Sequence, residues 1–114
     1  MTETLHRAAA VWVNLDPTRG REQAGSRPAV VIASDDYLAN VPGLVIVIPV
    51  TTRDRHWPHH VRLSGERLAL DRPSFAMTEQ PRTIARARIT GRAGTVGPTP
   101  MAEIDRWLRD FTDL

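Results

Sequence analysis

Alternation of apolar and polar residues organises most of this chain. Val11, Val13 and Leu15 alternate with Trp12 and Asn14, which predicts a first strand over residues 10 to 15 that Pro17 and Gly20 bring to an end. Residues 28 to 33, Pro-Ala-Val-Val-Ile-Ala, are apolar throughout, so they predict a second strand with neither face exposed. Ser34 to Asn40 reads as a short helical turn capped by Ser34. Gly43 to Thr51 is the most β-branched segment and predicts the central strand. Pro49 cannot donate to a ladder, so the strand bends or lies at an edge near it.

After a polar loop over residues 53 to 58, shorter strands are expected at 59 to 63 and 74 to 80. One or two more are expected between Thr83 and Val96, with a break near Gly91 and Gly94. Thr99-Pro100 marks a helix start, and Met101, Ile104, Trp107, Leu108, Phe111 and Leu114 then recur at helical spacing as one apolar stripe. The fold class expected is therefore mainly β with a C-terminal helix, as a small, mostly antiparallel barrel.

Length and composition narrow the possibilities. A chain of 114 residues with 41% hydrophobic content fits one domain, spanning 1 to 114. No apolar run reaches membrane-spanning length and the first residues lack a secretory pattern, so a cytoplasmic protein is expected. Without cysteine there is no disulfide, thiolate nucleophile or Cys-based zinc site. All 15 basic residues are arginine, although the formal net charge is only +2. Arg82, Arg86, Arg88 and Arg92 share a stretch without acids, which reads either as a solvated face or as a surface for phosphates or an acidic peptide.

The densest chemistry lies in residues 15 to 34, where a Gly-rich loop carrying Arg19, Arg21 and Glu22 leads into Arg27-Pro28 at a strand start. A guanidinium there is anchored by the strand and can be aimed. Thr51 closes the central strand; if the two strands pair, Arg27 and Thr51 can face one pocket. Trp57 in its Arg- and His-rich loop is a candidate stacking platform, whereas Trp12 and Trp107 read as packing residues. His56, His59 and His60 invite a metal reading. Adjacent residues on a strand point to opposite faces, however, so contact with ligand or solvent is expected instead, with no metal and no cofactor.

Residues 16 to 31, Asp-Pro-Thr-Arg-Gly-Arg-Glu-Gln-Ala-Gly-Ser-Arg-Pro-Ala-Val-Val, resemble the DPTxGxEQxGxRPxxV signature of the MazF/PemK family of toxins, sequence-specific endoribonucleases of toxin-antitoxin pairs. Ile48-Pro49-Val50-Thr51-Thr52, Glu79-Gln80-Pro81-Arg82-Thr83-Ile84 and Gly94-Thr95-Val96 match further family segments in order. The resemblance implies an SH3-like barrel of the CcdB/PemK type, a homodimer, and inhibition by a MazE-like antitoxin with an acidic C-terminal tail. It also implies metal-independent cleavage of single-stranded RNA, leaving 2',3'-cyclic phosphate and 5'-hydroxyl ends and so inhibiting translation. Arg27 and Thr51 correspond to the family's catalytic pair, with Glu22 beside the groove. The expected RNA-binding residues are Arg19, Arg21 and Gln23 in the first loop, Thr52, Arg53, His56 and Trp57 after the central strand, and Glu79, Gln80, Arg82 and Arg86. The alternatives are a CcdB-like gyrase poison, which would act through a Trp-Gly-Ile tail that this chain replaces with Phe111-Thr112-Asp113-Leu114, and an inactive relative that only binds RNA or antitoxin.

Overall fold

A computed structural model describes residues 4–14 and 25–113. Their order is β1 (Ala9–Val13), β2 (Arg27–Val31), α1 (Asp35–Asn40), β3 (Leu44–Thr51), β4 (His60–Arg62), β5 (Phe75–Met77), β6 (Arg82–Ala85), β7 (Ile89–Thr95) and α2 (Pro98–Thr112). The strands pair antiparallel in the order β4-β5-β3-β2-β1-β7, and β6 joins the N-terminal half of β3. This is the mainly β class with a C-terminal helix that the residue pattern predicts.

β3 is the axis of the fold because it is long and apolar on both faces. Val45 and Val47 pack with Val11, Val13, Ala29 and Val31 under α1, while Ile48 and Val50 pack with Ala10, Val30, Met101 and Ile104 under α2. Its outer edge pairs with β6 over Leu44 to Val47 and with β5 at Val50 and Thr51. Pro49 falls where the partner changes. The Ile32 N–H donates to the Ile46 carbonyl, so even-numbered residues of β3 bond toward β2. The N–H that Pro49 lacks would thus have faced the outer edge, at the gap between the two partners.

Among the described residues no ladder joins β7 to β4, so the barrel is not closed by strand pairing. Residues 64 to 69 bridge the gap: Gly97 N–H donates to the Ser64 carbonyl at 2.8 Å, Ala69 N–H to the Ala93 carbonyl at 2.9 Å, and Thr95 N–H to the Arg67 carbonyl at 3.4 Å. Gly94, at φ +89°, makes this approach possible, since a Cβ there would stand 1.9 Å from the Arg67 carbonyl oxygen.

Three expected details are corrected. The interruption between the last strands lies at a 3₁₀ turn over Arg86–Arg88; β7 runs through Gly91 and Gly94, which instead accompany register shifts against β1. α2 starts at Pro98 rather than at a Thr99 cap, because Gly97 is already tied to Ser64 and Pro98 has the φ of a first helical residue. The strand expected over 74 to 80 contracts to Phe75–Met77, where Ser74 turns back onto the Arg72 carbonyl and Gln80 N–H closes a turn on Met77. Ser34 does cap α1, accepting from Tyr37 N–H at 3.0 Å.

Candidate active site

Arg27 is the first residue of β2 and pairs with Val13 of β1. Ser26 is held beside it by a 2.5 Å hydroxyl contact with Thr90, whose hydroxyl in turn donates to the Trp12 carbonyl. Gly25, at φ +60°, turns the chain into that position. β2 and β3 pair through Ala29 opposite Pro49, and continuing this register by two residues sets Arg27 opposite Thr51. Opposed residues of an antiparallel pair share a face. Arg27 and Thr51 therefore flank the same end of the sheet, as their positions at neighbouring strand ends suggest, with Arg27 exposed and Thr51 half-buried.

Thr51 is set for donation. Its Oγ1 accepts from the Arg53 N–H at 3.1 Å, which orients the hydroxyl and leaves its proton free to reach an anionic oxygen. Beyond it the chain exposes Thr52, Arg53 and His56. Asp54 holds His56 at φ +59° by accepting its backbone N–H at 2.9 Å, and His56 Nδ1 lies 3.6 Å from the same carboxylate.

Trp57 is 47% exposed and stacks on His59 at 5.5 Å between centroids, with the Arg55 guanidinium 5.4 Å from the ring centre. His59 meets Trp107 and Phe111 of α2 edge-on. The expectation that His59 and His60 face opposite ways fails. His59 sits in the turn before β4, closed by His60 N–H on the Trp57 carbonyl, so strand alternation does not apply. Both imidazoles reach Glu79: Nε2 of His59 is 3.4 Å from Oε1, and Nε2 of His60 is 3.2 Å from each carboxylate oxygen. Burial raises the Glu79 carboxyl, but its own backbone N–H, the Gln80 amide and His60 outweigh this and hold it below its ordinary range. Nothing in the spacing of residues 59, 60 and 79 marks this convergence; β4 pairing with β5 creates it.

The arginine-rich stretch is partly structural. Arg86 donates from Nε to the Leu44 carbonyl at 2.8 Å and from Nη2 to the Leu38 and Val41 carbonyls, tying down the C-terminal end of α1. Arg88 donates to the Asn14 carbonyl. Arg82 opens β6 opposite Val47, on an exposed edge. Gln80 donates to Glu79 at 3.0 Å, so the two expected RNA contacts in that turn engage each other and the imidazoles. Arg19, Arg21, Glu22 and Gln23 lie outside the described residues.

A family model described as PemK-like, MazF-like toxin of type II toxin-antitoxin system matches residues 6–112. The endoribonuclease toxin MazF of Escherichia coli K12 is 43% identical over 89 residues, 77% of this chain and 76% of that protein. Endoribonuclease MazF9 of Mycobacterium tuberculosis is 35% identical over 116 residues, covering 96% and 98%. Among solved structures, a chain of the MazE-MazF complex from Deinococcus radiodurans superposes with a TM-score of 0.83 at 26% identity, covering 99% of each chain.

Proposed function

Since the chain belongs to the PemK-like, MazF-like toxins of type II toxin-antitoxin systems and is an endoribonuclease, we propose that Arg27 and Thr51 carry its cleavage of single-stranded RNA. The observation that supports this reading is the β2–β3 register, Ala29 opposite Pro49, which continued by two residues sets Arg27 opposite Thr51 near solvent.

Cleavage begins with in-line attack of a 2'-hydroxyl on the adjacent phosphorus. The base takes the 2'-hydroxyl proton, charge builds on the non-bridging oxygens, the P–O5' bond breaks, and the leaving 5'-oxygen takes up a proton from Arg27. The Arg27 guanidinium, planar and permanently charged, donates to those oxygens more strongly as their charge grows, which lowers the transition state relative to the bound substrate. Thr51 donates a hydrogen bond from its hydroxyl to a phosphate oxygen and orients the group. Arginine is too weak an acid to serve as the base, and Glu22 and then His56 are the candidates for that role. The products are a 2',3'-cyclic phosphate and a 5'-hydroxyl. No metal takes part in this chemistry, and DNA, lacking the nucleophile, is inert.

The 114 residues form one toxin domain that acts in the cytoplasm as a homodimer. It is neutralised by a MazE-like antitoxin with an acidic C-terminal tail. No helix among the described residues is long and apolar enough to cross a membrane. The endoribonuclease relatives give no support to a gyrase poison.

The test is incubation of the purified chain with a long single-stranded RNA in excess EDTA, with end mapping of the fragments. Cleavage is expected to persist, to yield cyclic phosphate ends, and to fall by roughly a hundredfold or more in both Arg27→Ala and Thr51→Ala. Loss on chelation with recovery in Mg²⁺, or full rates in both variants, would overturn the mechanism.

A further inference from the structure

Two imidazoles and a carboxylate converge at the β4–β5 end, outside the Arg27–Thr51 pair. We propose that His59 Nε2, His60 Nε2 and Glu79 Oε1 form a binding site for a divalent transition-metal ion of the zinc class. The donor spacing carries the inference: Glu79 Oε1 lies 3.4 Å from one imidazole nitrogen and 3.2 Å from the other. Donors about 2.0–2.1 Å from a tetrahedral zinc stand roughly 3.3 Å apart. Ligand atoms of all three residues lie within 4.8 Å of one another. Two nitrogens and one oxygen suit zinc, cobalt or nickel, whereas magnesium and calcium call for oxygen donors.

The surroundings are already built. His60 is buried and opens β4 opposite Met77, with its N–H on the Trp57 carbonyl. The fully buried Thr78 donates its hydroxyl to the His59 carbonyl at 2.6 Å, which locks the two turns together. Gln80 donates to Glu79 Oε2 at 3.0 Å and so orients the carboxylate, whose Oε1 faces both imidazoles, as outer-shell partners of metal ligands do. His60 Nδ1 is buried without a hydrogen-bond partner, so the ring's polar engagement is through Nε2. The partial exposure of His59 and Glu79 admits water as a fourth ligand. A bound ion would fasten the Trp57 segment to the turn after β5 and, through His59, to Trp107 and Phe111 of α2.

The test uses the full chain, stripped by chelation and dialysed, then titrated calorimetrically with zinc chloride. One equivalent should bind saturably, and saturating zinc should raise the thermal midpoint. Cobalt(II) should give the intense visible absorption of a four-coordinate site, and magnesium chloride should do none of this. His59→Ala and Glu79→Gln, at partly exposed positions, should each weaken zinc binding tenfold or more and remove the cobalt band. Absence of saturable uptake, or undiminished binding in both variants, would overturn the site and leave a hydrogen-bonded cluster. None of these readouts involves RNA cleavage, so the result stands apart from the proposed mechanism.

Discussion

Arg27 and Thr51 differ from most residues of this fold in contributing little to its packing, because both stand at strand ends near solvent. Their replacement should therefore separate chemistry from stability. Arg27→Lys keeps the charge but loses the planar fork, and its cleavage rate should stay close to that of Arg27→Ala while its thermal midpoint matches wild type. Asp35 offers a pH-dependent test of another kind. Its carboxylate accepts the Arg7 N–H at 2.9 Å and lies 3.5 Å from His6, and the Arg7 bond chiefly lowers its pKa below the ordinary 3.8. A group depressed on folding adds stability that is fully present above its unfolded pKa and is lost as pH falls through the folded value. The midpoint difference between wild type and Asp35→Asn should accordingly be largest well above pH 3.8 and should vanish in more acid solution. A difference that grows on acidification would contradict that assignment.

Among the elements, α2 and α1 are held by different forces. α2 is packed: Ile104 is completely buried against the sheet with Met101, so Ile104→Ala should cost about 2–5 kcal/mol in a denaturant titration. α1 is too short to be stable alone and depends on its ends, with the Ser34 cap at one and the Arg86 guanidinium at the other. Arg86→Ala leaves several carbonyls without their donor and should cost about 1–3 kcal/mol. RNA affinity at matched folded fraction decides whether Arg86 also binds substrate: an unchanged value makes it a structural residue alone. Met101, Ile104, Trp107 and Leu108 of the expected α2 stripe pack against the sheet, whereas Phe111 is exposed and Leu114 lies outside the described residues. The role of Arg86 was not readable from spacing, since an arginine that caps another element's carbonyls looks in sequence like one that faces a phosphate.

At the scale of the whole molecule, backbone hydrogen bonds to residues 64 to 69 span the gap that no strand pair closes among the described residues, and Gly94 is a point of close approach. Gly94→Ala should destabilise by more than about 1 kcal/mol, because it adds both a positive-φ penalty and a clash with Arg67. Hydrogen exchange at the Ala69 amide should accelerate ahead of that in β3; equal protection would mean that the gap is bridged in some other way. The sequence by itself determined most of the elements, since period-2 and helical spacing, β-branching, Pro49 and Ser34 act through local backbone geometry; it did not mark the 3₁₀ turn at Arg86–Arg88 or the shortness of β5. It also carried the family, through motifs contiguous along the chain. Tertiary structure alone decided which distant residues come together: β2 lies beside β3, so that their register, continued by two residues, sets Arg27 opposite Thr51, and His59 and His60 reach Glu79 through β4 and β5. Register depends on the whole set of buried side chains and turns, so the spacing of any one pair does not reveal it.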